Sequence, residues 1–307
     1  MEVLGFLIKK GKYLAAGTRA CIILIPCPTT SKCEEDVSQQ VSHVSQDEMK
    51  QINSIKWNPT DQNEIACGSR RLYDLHIYDC YAPSPTEPKI GCRRRAHNED
   101  WLVGLSDVAF ASTNQSCIVA SDLEYPTVAI WDTRANNGLP VRELRFGVHG
   151  EATCLQYSEF DSDQHLVGGG SDGKMCLWDL RVGDTPTQQW SLIDLTRDQH
   201  LINGRASRRI TCIDSINFNP SNQRQLAFHV NNSWSGVIGI HTSSISHIYR
   251  PCSRLGLEEA CRDPFYIRRC SWVANTSIYM APSRNAIGIL LLDFNWYKTS
   301  PYHVESE

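Results

Sequence analysis

The sequence predicts an all-β fold made of repeated three-strand units, and three observations carry that prediction. Apolar runs are short, mostly four to seven residues, and Gly, Pro, Asn, Asp and Ser separate them, which is strand-and-turn punctuation. Helical periodicity is nearly absent. The runs come in triplets at a loose period: third runs start at residues 20, 74, 127, 174, 236 and 286, so successive units lie 47 to 62 residues apart.

The first unit holds VLGFLIKK (3–10), KYLAAGT (12–18) and ACIILIP (20–26). Residues 27–50 then form a polar connection, expected to be flexible, in which VSQQVSHVS is a candidate outer strand. INSIKWNP (52–59), EIACGS (64–69) and DLHIYDC (74–80) make the second unit. A proline-rich loop, 81–89, excludes ladder pairing, and Arg93-Arg94-Arg95 stands where a fourth strand belongs. The third unit is LSDVAFA (105–111), CIVASD (117–122) and TVAIWDTR (127–134); the fourth is ATCLQYS (152–158), HLVGGGSDG (165–173) and KMCLWDLR (174–181). A mixed-charge segment, 194–209, reads as a flexible insertion. CIDSINFNP (212–220), QLAFHV (225–230) and GVIGIHT (236–242) follow, and IRRCSWVAN (267–275), SIYMAPS (277–283) and AIGILLLDF (286–294) complete a sixth unit.

Two third runs end in Trp-Asp, Trp131-Asp132 and Trp178-Asp179, while Tyr78-Asp79 and Leu292-Asp293 take the same place in weaker units. With LVGGGSDGKMCLWDLR preceded by His149-Gly150, the chain resembles the WD40-repeat family. That resemblance implies a β-propeller with six recognisable blades across residues 1–307 as a single domain. The units exceed the ~40–45 residues usual for such blades, and the excess falls in connections. Most relatives have seven blades. A seventh would have to hide in 181–210 or 250–266, or lie upstream of Met1. The resemblance also implies a buried network in which an Asp of the turn before the third strand bonds a His, the His a Ser or Thr, and that hydroxyl the Trp. His149, Asp172 and Trp178 take three of those places, but the Ser place falls on Gly168. Trp131 is present in the preceding unit, where LEYP (123–126) replaces the tight Asp-containing turn. Packing therefore has to carry most blades.

Composition narrows the function. A formal net charge of -4 on 307 residues gives no global attraction to nucleic acid or anionic lipid, and no apolar stretch approaches the ~20 residues of a membrane helix. The Arg pairs at 70–71, 208–209 and 268–269, like 93–95, read as solvent-facing strand positions balanced by acids. The 13 cysteines are scattered through apolar runs without a CxxC pair, as expected of reduced, buried thiols in cytoplasm or nucleus. Cys21, Cys27, Cys33 and His43 match no standard zinc spacing. No P-loop, GxSxG or HExxH occurs, and Gly168-Gly169-Gly170 sits in a strand with no helix behind it, so it reads as close packing between blades and not as a phosphate loop. No enzyme, cofactor, metal or small-molecule substrate is expected.

The candidate functional feature is a doubled W-D-x-R, Trp131-Asp132-Thr133-Arg134 and Trp178-Asp179-Leu180-Arg181, 47 residues apart. Equal position within the repeat is expected to place Arg134 and Arg181 at one level of adjacent blades, as donor forks suited to carboxylates and carbonyls. In the WD40 family this doubling marks substrate receptors of cullin-4-type RING ubiquitin ligases, whose arginines contact the ligase adaptor. The structural alternative is that each Arg pairs with an Asp of its own blade. The reading is a non-catalytic scaffold subunit of a multiprotein complex. The alternatives are such a ligase receptor and a peptide or nucleic-acid reader.

Overall fold

The structure is a computed structural model, and the residues it describes are 6–9, 13–17, 22–26, 42–43, 52–61, 63–69, 72–79, 90–92, 104–113, 117–122, 126–135, 139–147, 150–158, 164–198, 212–249, 269–273, 276–282, 289–294 and 302–304. The chain forms two compact units, Met1–Ala152 and Thr153–Glu307. Each of the six apolar triplets becomes three consecutive strands of one sheet.

In the first unit, β1 (Phe6–Lys9), β2 (Tyr13–Gly17), β3 (Ile22–Pro26) and β4 (Ser42–His43) form sheet one in that order. The candidate outer strand in VSQQVSHVS is thus the two-residue β4, with His43 opposite Ile23. Sheet two is β5 (Ile52–Trp57), β6 (Glu64–Ser69), β7 (Leu72–Asp79) and β8 (Ile90–Cys92). Its fourth strand, β8, lies at residues 90–92, and Arg93, Arg94 and Arg95, expected at that place, lie outside the described residues. Sheet three is β9 (Leu105–Phe110), β10 (Cys117–Asp122), β11 (Thr127–Asp132) and β12 (Arg142–Arg145). Sheets two and three share an apolar core that includes Leu75, Ile77, Val108, Ile118 and Trp131.

In the second unit, sheet four is β13 (Ala152–Tyr157), β14 (His165–Gly170), β15 (Lys174–Asp179) and β16 (Gln188–Ser191). A short helix, α1 (Leu192–Asp198), follows at once, so the insertion read at 194–209 is helical at its start. Ser191 caps it by accepting the Asp194 N–H through Oγ at 3.4 Å. Leu192 is buried and Ile193 and Leu195 pack on the core, which is why this polar-looking stretch orders. No seventh set of strands lies in 181–198; the rest of that segment and 250–266 fall outside the described residues. Sheet five is β17 (Ile213–Asn219), β18 (Asn222–Val230), β19 (Ser235–Gly239) and β20 (Ser244–Tyr249), joined in parallel at β20 by β24 (Tyr302–Val304). Sheet six is β21 (Ser271–Trp272), β22 (Ile278–Pro282) and β23 (Ile289–Asp293). Among the described residues, five sheets therefore have four or more strands and the sixth has three. The six recognisable blades expected are thereby corrected to five complete ones, since among the described residues no fourth strand pairs with β23.

The hairpins repeat in chemistry as well as in count. Asn58, just after β5, and Asn219, the last residue of β17, are both fully buried and each precede a proline. Asn58 Oδ1 accepts the Thr60 N–H at 3.0 Å, and Asn219 Oδ1 accepts the Ser221 N–H at 2.9 Å, each an Asx turn that starts the hairpin. Their Nδ2 groups donate to Glu64 and Gln225 respectively, six residues on.

Candidate functional site

The third strands hold the candidate residues in one shared register. Tyr78, Trp131, Trp178 and Leu292 pair with Ile65, Ile118, Leu166 and Tyr279, the second residue of each second strand, and Ile238 pairs with Leu226, in the middle of the longer β18. All five are at most 2% exposed. The sequence equivalence of Tyr78-Asp79 and Leu292-Asp293 with the two Trp-Asp pairs is therefore geometric. Antiparallel pairing fixes which residue faces the next sheet, and a large apolar or aromatic side chain fills that place.

The polar network drawn from the WD40 resemblance is sparser. Trp178 is fully buried against Gly168, where a Cβ would stand 3.1 Å from the indole ring. A glycine in the Ser place lets the ring lie against the strand. Asp172 stands in the turn before β15, next to Gly173 with φ of 76°, and its carboxylate meets Lys174, with Nζ 2.8 Å from Oδ2. His149 lies outside the described residues. Trp131 is buried as expected, and its Nε1 has no hydrogen-bond partner among the described residues. That fits the replacement of its turn by LEYP. Gly169 accounts for part of the glycine run: a Cβ there would lie 2.6 Å from Ile213 Cγ2 and 2.8 Å from Cys154 Sγ, so β14 and β17 pack closely at this residue.

Arg134 and Arg181 occupy the turn just after their strands in matching geometry. Arg134 Nε donates to Asp132 Oδ1 at 3.0 Å and Nη2 to Oδ2 at 2.7 Å, while its backbone N–H also reaches Oδ1. Arg181 does the same to Asp179 at 2.9 and 2.7 Å. The guanidinium beside each carboxyl holds both aspartates below the usual carboxylate range, mainly through the side-chain hydrogen bonds. The Arg side chains are nevertheless 69% and 62% exposed. The fork thus satisfies the structural alternative and also fixes the direction in which each guanidinium faces solvent. The two arginines belong to different compact units.

Sequence reading missed a second set of polar residues, at the second and third positions of the first strands. Asn53 Nδ2 donates to the Leu105 carbonyl at 3.1 Å, and Ser54 Oγ to Asp107 Oδ1 at 2.6 Å. Ser106 Oγ donates to the Ala152 carbonyl. In the second unit Thr153 Oγ1 donates to the Ile213 carbonyl, the Cys270 N–H donates to Ser215 Oγ, and Arg269 donates to the carbonyls of Asp214 and Thr153. Asn53, Ser54, Ser106, Asp107, Thr153 and Ser215 are all buried. Asn53 and Ser54 thus tie β5 to β9, Thr153 ties β13 to β17, and Ser215 ties β17 to the Cys270 amide just before β21. The signal was present as paired polar residues inside apolar runs: Asn53-Ser54, Ser106-Asp107 and Asp214-Ser215.

Among the described residues no group of three or more His, Cys, Asp or Glu could hold a metal ion, and no helix is long and apolar enough to cross a membrane. Of the candidate zinc residues, Cys21, Cys27 and Cys33 lie outside the described residues. Cys67, Cys154, Cys176, Cys212 and Cys270 form no disulfide. Burial pushes Cys176 up to about 12, with the nearby Asp172 charge adding to the shift. Cys212 is raised further, again mainly by burial.

No family model matches the chain. No curated protein matches it either. Among solved structures, a chain in a crystal structure of the mitotic checkpoint complex matches with a TM-score of 0.59, covering 91% of this chain and 73% of that one at 13% identity. At that identity the likeness establishes the fold and leaves the function to the site.

Proposed function

From a β-propeller fold of the WD40 type, we propose that this protein is a non-catalytic interaction scaffold, a subunit of a multiprotein assembly. The carrying observation is the pair of matching Arg–Asp forks at the ends of β11 and β15. Each guanidinium is held in place by its own carboxylate and is more than half exposed. Exposed arginines of fixed direction lose little freedom on binding and suit acidic groups and carbonyls of a partner. The fold neighbour from the mitotic checkpoint complex is itself part of a multiprotein complex, which supports the reading in general terms.

The doubled W-D-x-R favours a second, finer reading: a substrate receptor of a cullin-4-type ubiquitin ligase, with Arg134 and Arg181 on the adaptor. Purification of the tagged protein under native conditions, followed by mass spectrometry, separates the two. The scaffold reading expects stoichiometric partner proteins; the receptor reading expects the ligase adaptor and its RING partner among them. A chain recovered with no stoichiometric partner would count against both.

A further inference from the structure

We propose that the turn after β15 binds a segment of a partner protein that sets a carboxylate against Arg181 and an apolar side chain against Val182. This rests on the scaffold reading, and adds to it the chemistry of the partner and an inequality between the two forks. The turn is closed by the Val182 N–H, which donates to the Asp179 carbonyl at 3.0 Å. The Leu180 N–H donates to the Gln164 carbonyl and the Thr187 N–H to the Leu177 carbonyl, each at 2.8 Å, so the loop 180–187 is tied down at both ends. Val182 therefore stands in a fixed place beside the pinned guanidinium. It is 74% exposed, the most exposed large apolar side chain among the described residues. A Cβ on Gly183 would meet nothing within 4 Å, so the surface next to Val182 is open. A lone exposed valine is ordinary at a protein surface, whereas one on a tied-down turn beside a pinned arginine makes a two-part contact.

The exposures also fix the sign of the charge that the turn shows to solvent. The Arg181 side chain is 62% exposed and that of Asp179 only 13%, so the cation faces out and the carboxylate in. An acidic group beside an apolar one complements that surface. In the other fork the aspartate side chain is more exposed, at 29%. That turn closes in the same way, the Ala135 N–H donating to the Asp132 carbonyl at 2.9 Å, but Ala135 stands where Val182 does. The fork after β11 thus offers only the polar half of the contact, and the fork after β15 offers both halves. Within 180–187 the other charge is Asp184, exposed two residues beyond Val182, and it works against an acidic segment.

The test uses the whole tagged chain with the photo-cross-linker p-benzoylphenylalanine in place of Val182, irradiated in native purifications and read by mass spectrometry of the cross-linked peptides. Cross-links to one segment of a partner protein are expected, with an acidic residue beside an apolar one. Val182→Asp should lower recovery of that partner about tenfold or more at an unchanged melting temperature, while Val182→Ile keeps it. Arg181→Ala should cost more of it than Arg134→Ala, and Asp184→Asn should keep or raise it. Cross-links confined to this chain, within one copy or between two, would overturn the proposal by assigning the turn to the chain itself. Loss of the partner on Asp184→Asn would overturn it by assigning the contact to a basic segment. If Arg134→Ala with Arg181→Ala strips a partner that Val182→Asp leaves at full abundance, the scaffold reading stands and this proposal falls. If no stoichiometric partner is recovered from the unmodified protein, both fall together.

Discussion

At residues 78, 131 and 178 an aromatic ring fills one repeated place, and Ile238 and Leu292 fill it elsewhere. The position selects for volume first and polarity second: Trp131 stays buried with no partner for its N–H among the described residues. Trp178→Ala should therefore destabilise the fold by roughly 3–5 kcal/mol, the cost of a large cavity that sheets cannot close, measured by denaturant unfolding. An unchanged unfolding midpoint would place the ring at the surface. The Arg forks predict a pH effect of definite sign. Asp132 binds its proton less readily in the folded chain than its ordinary 3.8, chiefly because Arg134 donates to it. Its stabilising contribution is present above about 3.8 and is lost as pH falls below that value through the depressed folded pKa. Carboxyl titration by NMR should give Asp132 a midpoint below 3.8, returning toward that value in Arg134→Ala. The thiols should be reduced. Unfolded without reductant, the protein should show nearly all of its 13 cysteines to a thiol reagent. In the folded state at neutral pH, Cys176 should react slowly, because it is buried and its thiol is pushed up to about 12.

The elements are held by two devices that a run of apolar letters does not advertise. One is the close approach at Gly169, where any side chain would meet Ile213 and Cys154. Gly169→Val should cost roughly 1–3 kcal/mol by overpacking, and a neutral effect would mean that β14 and β17 stand further apart than described. The other is the set of buried hydroxyl, amide and carboxyl bonds between first strands. Asp107→Ala should cost about 1–3 kcal/mol, since it leaves the buried Ser54 hydroxyl without its carboxylate. Ser54→Ala combined with it should recover part of the loss. The first, second and third strands were legible because they are apolar and bounded by turn residues. The fourth strands were not: RELR and QQWS have one buried apolar residue each and look like loops until the strand beside them is known. Helix α1 was hidden for a similar reason. Its polar residues outnumber the apolar ones, and only the Ser191 cap and the burial of Leu192 single it out.

At the largest scale, the repeat pattern was readable because sheets two, three, four and six reuse one register among the described residues, so that even the degenerate Tyr78-Asp79 and Leu292-Asp293 fall in place. That sheet six has three strands among the described residues was not readable, because the sequence of β23 is as apolar as its counterparts and only the exposure of Ile289 and Leu291 marks the difference. The candidate arginines were legible as a motif, but their forked pairing to Asp132 and Asp179 was one of two open alternatives until the geometry fixed it. Far-UV circular dichroism should show a β-dominated spectrum with little helix, and a strongly helical spectrum would be incompatible with this fold. The proposed role of the two exposed forks is to bind protein. It is tested most directly by Arg134→Ala with Arg181→Ala in one chain, compared with the unmodified protein by quantitative mass spectrometry of native purifications. Because both guanidinium groups are largely exposed, the melting temperature should hardly move, while one set of co-purifying proteins disappears. A double variant that keeps every partner at unchanged abundance would contradict the claim and leave the forks as devices that only fix the ends of β11 and β15.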